Sequence, residues 1–293
     1  MKVSVSSYSY NNLYGNSFTL YDAINNAAEQ SIEGFELLNE YFPENRAEAL
    51  SEAKKLKKAC ADLQIEIPAV VTGANFLWAS PDEMNREIER IKAVVEITSG
   101  IEVPFLRHDV ANGFSKSYTG VRSFEAVLPL LAEACLEITE YAEKLGVVTI
   151  TENHGFFVQD SERLCALVSK VNHPNYGILC DMGNFVCADE DPVCAVSRVA
   201  PLTRHAHAKD MHLKSGQEPN PGEGWFSSRG GNFIRGAVIG HGNVPVTSCL
   251  RSLYKSGYNG FVSIEFEGLE DPITGISIGA ENLRRYISEA EKN

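Results

Sequence analysis

Four short segments each end a run of apolar or β-branched residues on a side chain that can hold a metal ion or carry a proton. They are Val147-Val148-Thr149-Ile150-Thr151-Glu152-Asn153-His154-Gly155, Gly177-Ile178-Leu179-Cys180-Asp181-Met182-Gly183-Asn184, Arg204-His205-Ala206-His207-Ala208-Lys209-Asp210 and Phe261-Val262-Ser263-Ile264-Glu265-Phe266-Glu267-Gly268. Uncharged runs of this length suit strands buried on both faces of a parallel sheet. The polar residues then fall at the carboxyl ends of the strands, where α/β folds place their chemistry. Side chains alternate along a strand, so Glu152, Asp181, His207 and Glu265 take the last inward positions. The same alternation turns Cys180 toward the helices and sets His205, His207 and Lys209 on one face at rising height. Three carboxylates and an imidazole converging in a barrel mouth repel one another without a cation, and a divalent metal is the natural resolution. The oxygen-rich, single-nitrogen set suits one Mn²⁺ best, with Co²⁺, Mg²⁺ or Zn²⁺ as alternatives. Singly, each residue has a plainer reading, since strand-end carboxylates cap helices and histidines pack. Repetition after four successive strands is what carries the metal reading.

The rest of the chain supplies the scaffold. Strand-like segments at Val3 to Ser7, Ile32 to Leu37, Ile65 to Val71 and Val103 to Asp109 precede the four above, making eight. Helical spacing predicts helices over Leu20 to Gln30 and Arg46 to Leu63, and a third that starts at Ser80-Pro81-Asp82-Glu83 with Met84, Ile88, Ile91 and Val95 inward. A long helix ends near Leu145-Gly146, with Pro129 in its first turn or at a kink. Shorter ones follow at Ser161 to Val171, within Asp191 to Val199, at Val246 to Tyr254 and at Ile278 to Ala290. Between strand seven and its helix lies a long loop insertion at about 211–238, rich in Gly, Asn, Pro and Ser. Eight strand–helix units in series with no linker predict an α/β, single-domain (β/α)8 TIM barrel over residues 1–293.

Composition narrows the partners. The formal charge of −13 argues against a nucleic-acid partner, whose affinity rests on Lys and Arg. No segment approaches the ~20 apolar residues of a membrane helix, and no signal-peptide stretch opens the chain. Seven scattered cysteines without a CxxC pair indicate neither disulfides nor a zinc ribbon, so the expected location is the reducing cytoplasm.

Glu-Asn-His-Gly, Asp-x-Gly-Asn, His-x-Lys-Asp and the late Ile-Glu-Phe-Glu resemble the xylose-isomerase-like barrel superfamily, in particular its sugar phosphate isomerase/epimerase branch, over essentially the whole chain. The resemblance implies one divalent metal held by Glu152, Asp181, His207 and Glu265, and proton transfer beside a carbonyl with the two glutamates on opposite sides of the substrate. Asn184 stands where ketose 3-epimerases and the superfamily's DNA-repair endonuclease carry a histidine, which separates this chain from both patterns. The expected activity is a sugar, keto-sugar or sugar phosphate isomerase or epimerase working through a metal-stabilised enediolate, with Glu152 and Glu265 catalytic. The alternatives are a lyase or dehydratase of the inosose dehydratase or C-glycoside-cleaving kind, and a catalytically silent metal- or sugar-binding barrel. A carbohydrate is the expected small-molecule partner, with a homo-oligomer as an option. Further substrate-binding candidates are His154, Arg107, His108, Lys209, Asn184, Glu36 at the mouth, and Arg235 in the insertion. Parity does not distinguish Arg107 from His108, and Lys209 has a salt bridge to Asp210 or Glu267 as its plainer role. The insertion, with Trp225, Phe226, Arg229 and Arg235, reads as a lid or a subunit contact.

Overall fold

The computed structural model describes residues 1–15, 17–78 and 80–292. Its strands are β1 (Lys2–Ser6), β2 (Gly34–Leu38), β3 (Ala69–Thr72), β4 (Phe105–His108), β5 (Val148–Glu152), β6 (Tyr176–Asp181), β7 (Thr203–Ala208), β8 (Asp210–Lys214), β9 (Phe226–Ser227), β10 (Phe233–Ala237) and β11 (Phe261–Ile264). β1 to β7 and β11 close into one parallel barrel in the ring order β1-β11-β7-β6-β5-β4-β3-β2. The helices are α1 (Leu20–Glu29), α2 (Arg46–Asp62), α3 (Pro81–Gly100), α4 (Phe124–Glu143), α5 (Ser161–Val171), α6 (Asn184–Cys187), α7 (Pro192–Val199), α8 (Val246–Lys255) and α9 (Pro272–Ala290). The predicted (β/α)8 barrel is the observed fold.

Alternation along the strands divides the core in two. Val3, Val5, Phe35 and Leu37 are buried in the main apolar cluster with Leu56, Ile91, Leu131 and Leu283 of the helices. Their neighbours Ser4, Glu36, His205, His207 and Ser263 are equally buried but polar, and they touch one another across the barrel. The barrel interior is therefore a stack of hydrogen-bonded polar side chains inside an apolar ring. Cys180 is fully buried in the apolar cluster, on the face opposite Asp181.

Three boundaries differ from the sequence reading for identifiable reasons. β3 starts at Ala69, because Pro68 has no N–H to give the ladder and the segment before it makes only a single bridge, Gly34 to Glu66. α4 opens at Phe124 under the Ser123 cap, so Pro129 lies inside the helix and not in its first turn. α9 begins at Pro272, capped by Asp271 and six residues earlier than the apolar stripe suggested.

The insertion is not a loop. Asp210–Lys214 and Phe233–Ala237 pair antiparallel, and with β9 they form a three-stranded sheet in the order β8-β10-β9. Apart from Gly236, its glycines and prolines lie in the connections, whereas Met211 and Ile234 are buried on one face of an alternating hairpin. The sheet is tied to the barrel by Asp210, whose carboxylate accepts from the backbone N–H groups of Met211 (2.8 Å), Gly240 (2.8 Å), Gly242 (2.9 Å) and Val244 (3.0 Å). It is tied a second time through Asp189, which accepts from Ser228 Oγ and Asn232 Nδ2.

Removing the Asp210 carboxylate strands several donors at once. Asp210→Ala should destabilise the protein by about 3 kcal/mol or more, since a buried hydrogen bond to a charged acceptor contributes ~1.5–3 kcal/mol and its loss leaves the partners unpaired. Urea unfolding of the variant against the parent measures it, and a loss under 1 kcal/mol (~0.5–1.5 kcal/mol being usual for one ordinary bond) would mean the sheet is held elsewhere.

Candidate metal centre and active site

Glu152, Asp181, His207 and Glu265 end adjacent or near-adjacent strands, and one ligand-capable atom from each lies within 4.8 Å of all the others. His207 Nδ1 is 3.9 Å from Glu152 Oε1, 3.8 Å from Asp181 Oδ2 and 3.6 Å from Glu265 Oε2. These separations are too long for hydrogen bonds and suit donors arranged around a shared ion. His207 Nδ1 and Asp181 Oδ2 are buried with no hydrogen-bond partner, although buried polar atoms are nearly always satisfied. Burial pushes the Asp181 carboxyl above its ordinary value, against Lys209, with Glu265 and Glu152 adding to the rise. Surplus negative charge, two orphaned donors and an O,O,O,N set all fit a divalent ion. The residues predicted as ligands are thus brought together; which ion they prefer does not follow from the donor set.

Glu36 does not line the mouth as the sequence reading expected. It is fully buried, because His205 and His207 on the inward face of β7 supply its carboxylate with partners inside the barrel. Its carboxylate meets His207 Nε2 at 3.0 and 3.1 Å and His205 Nε2 at 2.8 Å. A carboxylate only accepts, so both imidazoles carry a proton on Nε2 and His207 turns its Nδ1 lone pair to the cluster. Burial alone would raise the Glu36 carboxyl, but the two histidines more than offset that and hold it well below the ordinary range.

Arg107 is the inward residue of the Arg107-His108 pair. Its Nη2 is 2.8 Å from Asp109 Oδ1 and 2.5 Å from Glu152 Oε2. Glu152 Oε1 meanwhile accepts from Asn184 Nδ2 at 2.9 Å, so both oxygens of Glu152 are engaged. His108 points the other way, a correction to its candidacy for substrate: its ring packs against Phe76 and Tyr176, and Nδ1 lies 2.8 Å from the Asp109 carbonyl. Arg235 is likewise not brought to the cavity. It stacks over Trp225, 5.4 Å from the ring centroid, on the sheet face opposite Ile234 and Gly236.

Lys209 is buried and bridges Glu265 Oε2 (2.5 Å), Glu267 Oε1 (3.1 Å) and Asp181 Oδ2 (3.5 Å), while donating to Asn184 Oδ1. Of its two plainer partners only Glu267 is found; Asp210 is occupied by the backbone. Burial raises the Glu265 carboxyl, yet the Lys209 ammonium outweighs it and keeps the group ionised. The cavity above the cluster, about 190 Å³, is lined by Tyr8, Arg107, Asp109, Glu152, His154, His207, Glu265 and Glu267, with Leu38, Val71 and Gly73. His154 stands in its wall with a side chain 46% exposed, and Nδ1 is 3.1 Å from Asp109 Oδ2. Asp109 draws the imidazole pKa up to about 9. Tyr8 and Asp109 escaped the sequence reading. The polar exit from β1 was the signal for Tyr8, and two-residue spacing from an inward Arg107 would have found Asp109. A larger cavity of about 350 Å³ opens at the opposite end of the barrel, among Ile65, Pro68, Pro104 and Phe261, away from this chemistry.

Asp181→Asn should lose most bound metal by elemental analysis, because an amide is a poorer donor to a hard cation. Cys180→Ser, facing the helices, should keep it. Glu36→Gln should weaken Mn²⁺ binding roughly 10–100-fold, the usual cost of losing the partner of a ligating histidine. Calorimetric titration checks this, and unchanged affinity would remove Glu36 from the support of His207.

His108 gives a stability effect with a defined sign. Burial lowers its pKa from 6.5 to about 4. Below pH 6.5 the unfolded chain takes up a proton the folded chain refuses, so stability falls as pH drops toward 4 and levels off beneath it. Between pH 7 and 5 this residue should cost about 2 kcal/mol. Urea unfolding at both pH values should show that loss reduced in His108→Phe, and an equal loss in both proteins would contradict it.

A family model described as xylose isomerase-like TIM barrel matches residues 24–286. The rhizopine catabolism protein MocC of Rhizobium meliloti is 30% identical over 163 residues, 53% of this chain and 49% of that protein. An inosose dehydratase of Clostridium beijerinckii is 26% identical over 164 residues, 55% of this chain and 53% of that enzyme. The matches thus span about half the length of these curated relatives. Among solved structures, an L-ribulose 3-epimerase superposes with a TM-score of 0.75 at 13% identity, covering 99% of this chain and 96% of that one. A probable 3-DHS dehydratase from Bacillus anthracis gives 0.74 at 18% identity, covering 97% and 99%. A magnesium complex of a barrel protein from Mycobacterium smegmatis gives 0.71 at 13% identity, covering 99% and 97%.

Proposed function

Because the chain belongs to the xylose isomerase-like TIM barrel family, we propose that it is a divalent-metal-dependent enzyme that moves a proton on the carbon beside the carbonyl of a carbohydrate. The observation that carries this reading is the buried set of Glu152, Asp181, His207 and Glu265, with two orphaned donors, opening directly into a polar cavity. When bound, a divalent ion supplies a Lewis acid that polarises the carbonyl and acidifies the neighbouring C–H.

The side chains divide the remaining work. Glu265 is the more accessible of the two glutamates, and Lys209 keeps it ionised, which suits it to take the proton. Glu152 stands three steps round the ring from Glu265, with β7 and β6 between, so a substrate seated over the cluster presents a different face to each. Arg107 and Asn184 hold Glu152 fixed, and Lys209 is placed to return or share the proton at Glu265. Proton return at the neighbouring carbon or the opposite face gives an isomer or an epimer.

A second outcome, elimination, is favoured by the Asp109–His154 pair. Asp109 fixes Nδ1 of an imidazole that stands in the cavity wall, leaving its other edge for the departing group of a β-substituent. Of the proteins compared above, one curated relative and one solved structure are named dehydratases and another solved structure an epimerase, in keeping with either outcome.

Incubation of the Mn²⁺-loaded protein with ketoses and 3-keto-glycosides in deuterated water tests the reading. Exchange with isomerisation supports the first outcome and exchange with loss of the substituent supports the second. No exchange on any compound would defeat the enzymatic reading. Glu265→Gln, once shown to retain metal, should lower turnover by at least about 100-fold, the lower range for a proton-transfer group. Undiminished turnover in that variant would pass the base to another residue.

A further inference from the structure

The cavity of about 350 Å³ at the amino ends of the strands stands apart from the metal ligands, yet it shares a residue with their support. His205 lines it and is only 1% exposed. One edge of the ring is spent, with Nε2 at 2.8 Å from Glu36 Oε2 and 3.1 Å from Ser263 Oγ. Because Nε2 carries the proton for Glu36, the neutral ring presents Nδ1 as a bare acceptor. Among the described residues no partner is found for Nδ1. Buried polar groups are nearly always satisfied, so an open acceptor at a cavity points to an occupant.

The walls define what would meet it. Barrels of this architecture usually fill their interior layers with branched aliphatic side chains. Here the first inward positions of β4 and β11 are Phe105 and Phe261 instead, both lining the cavity. The Phe105 ring is stacked near that of His205, with centroids 6.5 Å apart and planes at 23°. Phe261 is tucked against β2, where a Cβ on Gly34 would meet its ring at 2.8 Å. Ile65, Pro68, Val103 and Pro104 complete an apolar wall. At the rim Lys57 is paired with Glu102 at 3.1 Å, and Glu66 with Lys2 at 2.6 Å. Arg204 lines the same rim and has no ion pair among the described residues. A mostly apolar cavity in the ~300–1,000 Å³ range with a few placed polar groups is the usual form of a small-molecule site.

We propose that this cavity binds a small aromatic molecule carrying an O–H or N–H donor for His205 Nδ1 and a carboxylate for Arg204, and that its occupancy is coupled to the metal centre. The site is separate from the substrate cavity and stands without the enzymatic reading. Two hydrogen bonds, His205 Nε2 to Glu36 at 2.8 Å and His207 Nε2 to Glu36 at 3.0 Å, lead from the cavity to a metal-ligating side chain. A donor on Nδ1 draws density from the His205 ring and strengthens its bond to Glu36. Glu36 then gives less to His207, whose Nδ1 becomes the weaker ligand. Occupancy therefore lowers metal affinity, and by reciprocity the metal lowers affinity for the occupant.

Phenol, anisole and 4-hydroxybenzoate serve as probes. In ¹⁵N-histidine-labelled protein without metal, millimolar phenol should move the His205 Nδ1 resonance upfield, as an acceptor nitrogen moves on taking a hydrogen bond. Anisole has the ring but no donor and should leave it in place. 4-Hydroxybenzoate should bind about two- to fivefold more tightly than phenol, the gain of an exposed ion pair, and Arg204→Gln should erase that margin. Ala61→Trp, at the rim on α2 and outside the barrel interior, should remain folded and lose binding of every probe. Calorimetric titration at saturating phenol should give a roughly fivefold weaker Mn²⁺ affinity, the lower end of couplings between sites. An unmoved His205 resonance, or phenol binding that survives in Ala61→Trp, would overturn the site. Probe binding with unchanged Mn²⁺ affinity would overturn the coupling, and 4-hydroxybenzoate binding no better than phenol would remove Arg204 from recognition.

Discussion

A carboxylate with no solvent exposure stands inside the barrel, and most of the centre follows from it. An unpaired buried carboxylate is costly enough to neutralise or unfold its surroundings. Glu36 is tolerated because His205 and His207 both give it their Nε2 protons. That demand fixes the two rings, and fixing His207 from below leaves Nδ1 as its only free donor to the carboxylates above. Ser263 completes the layer beneath, within reach of both His205 and Glu36, and Ser4 closes it. The interior of this barrel is therefore ordered by proton bookkeeping between polar groups, and its apolar packing is displaced to the ring outside the strands.

The upper layer repeats the device with fixed cations. Arg107 and Lys209 are among the best buried basic groups in the chain, and each is shared between carboxylates on different strands. Burial would favour a neutral lysine, but Asp181, Glu265 and Glu267 overcome it and keep the ammonium charged. Because each cation spans strands, the geometry of the cluster is set by the barrel's closure and not by any single loop. Rigid placement of this kind keeps catalytic groups within reach of one substrate position.

Much of this was legible in the sequence. The fold was, because strand–helix units repeat with caps and periodicity intact, and the four ligand candidates were, because two-residue alternation places them all inward. What was not legible depended on long-range position. Glu36 carries the same residue type whether it meets water at the mouth or histidines on the axis, and only the height of β2 in the ring decides. His108 and Arg107 needed a parity reference that four residues of β4 do not supply. The insertion hid a hairpin because its glycine-rich connections dominate the composition, while the strands that pair lie about twenty residues apart. Cα alternation was informative within an element and silent about the vertical register between elements.

Between the seventh barrel strand and the first strand of the insertion sheet there is one residue, Lys209. Two sheets with different hydrogen-bonding partners meet at a side chain that belongs to the active centre. The outer sheet is consequently not an accessory that recombination can exchange at this junction. A graft joined at Ala208 that gained or lost one residue would shift the phase of Lys209 and turn its ammonium from the cavity to the helices. The tolerant seam lies farther out, in the connection between β8 and β9, whose Gly-, Pro- and Asn-rich stretch is exposed and can change length without moving Lys209.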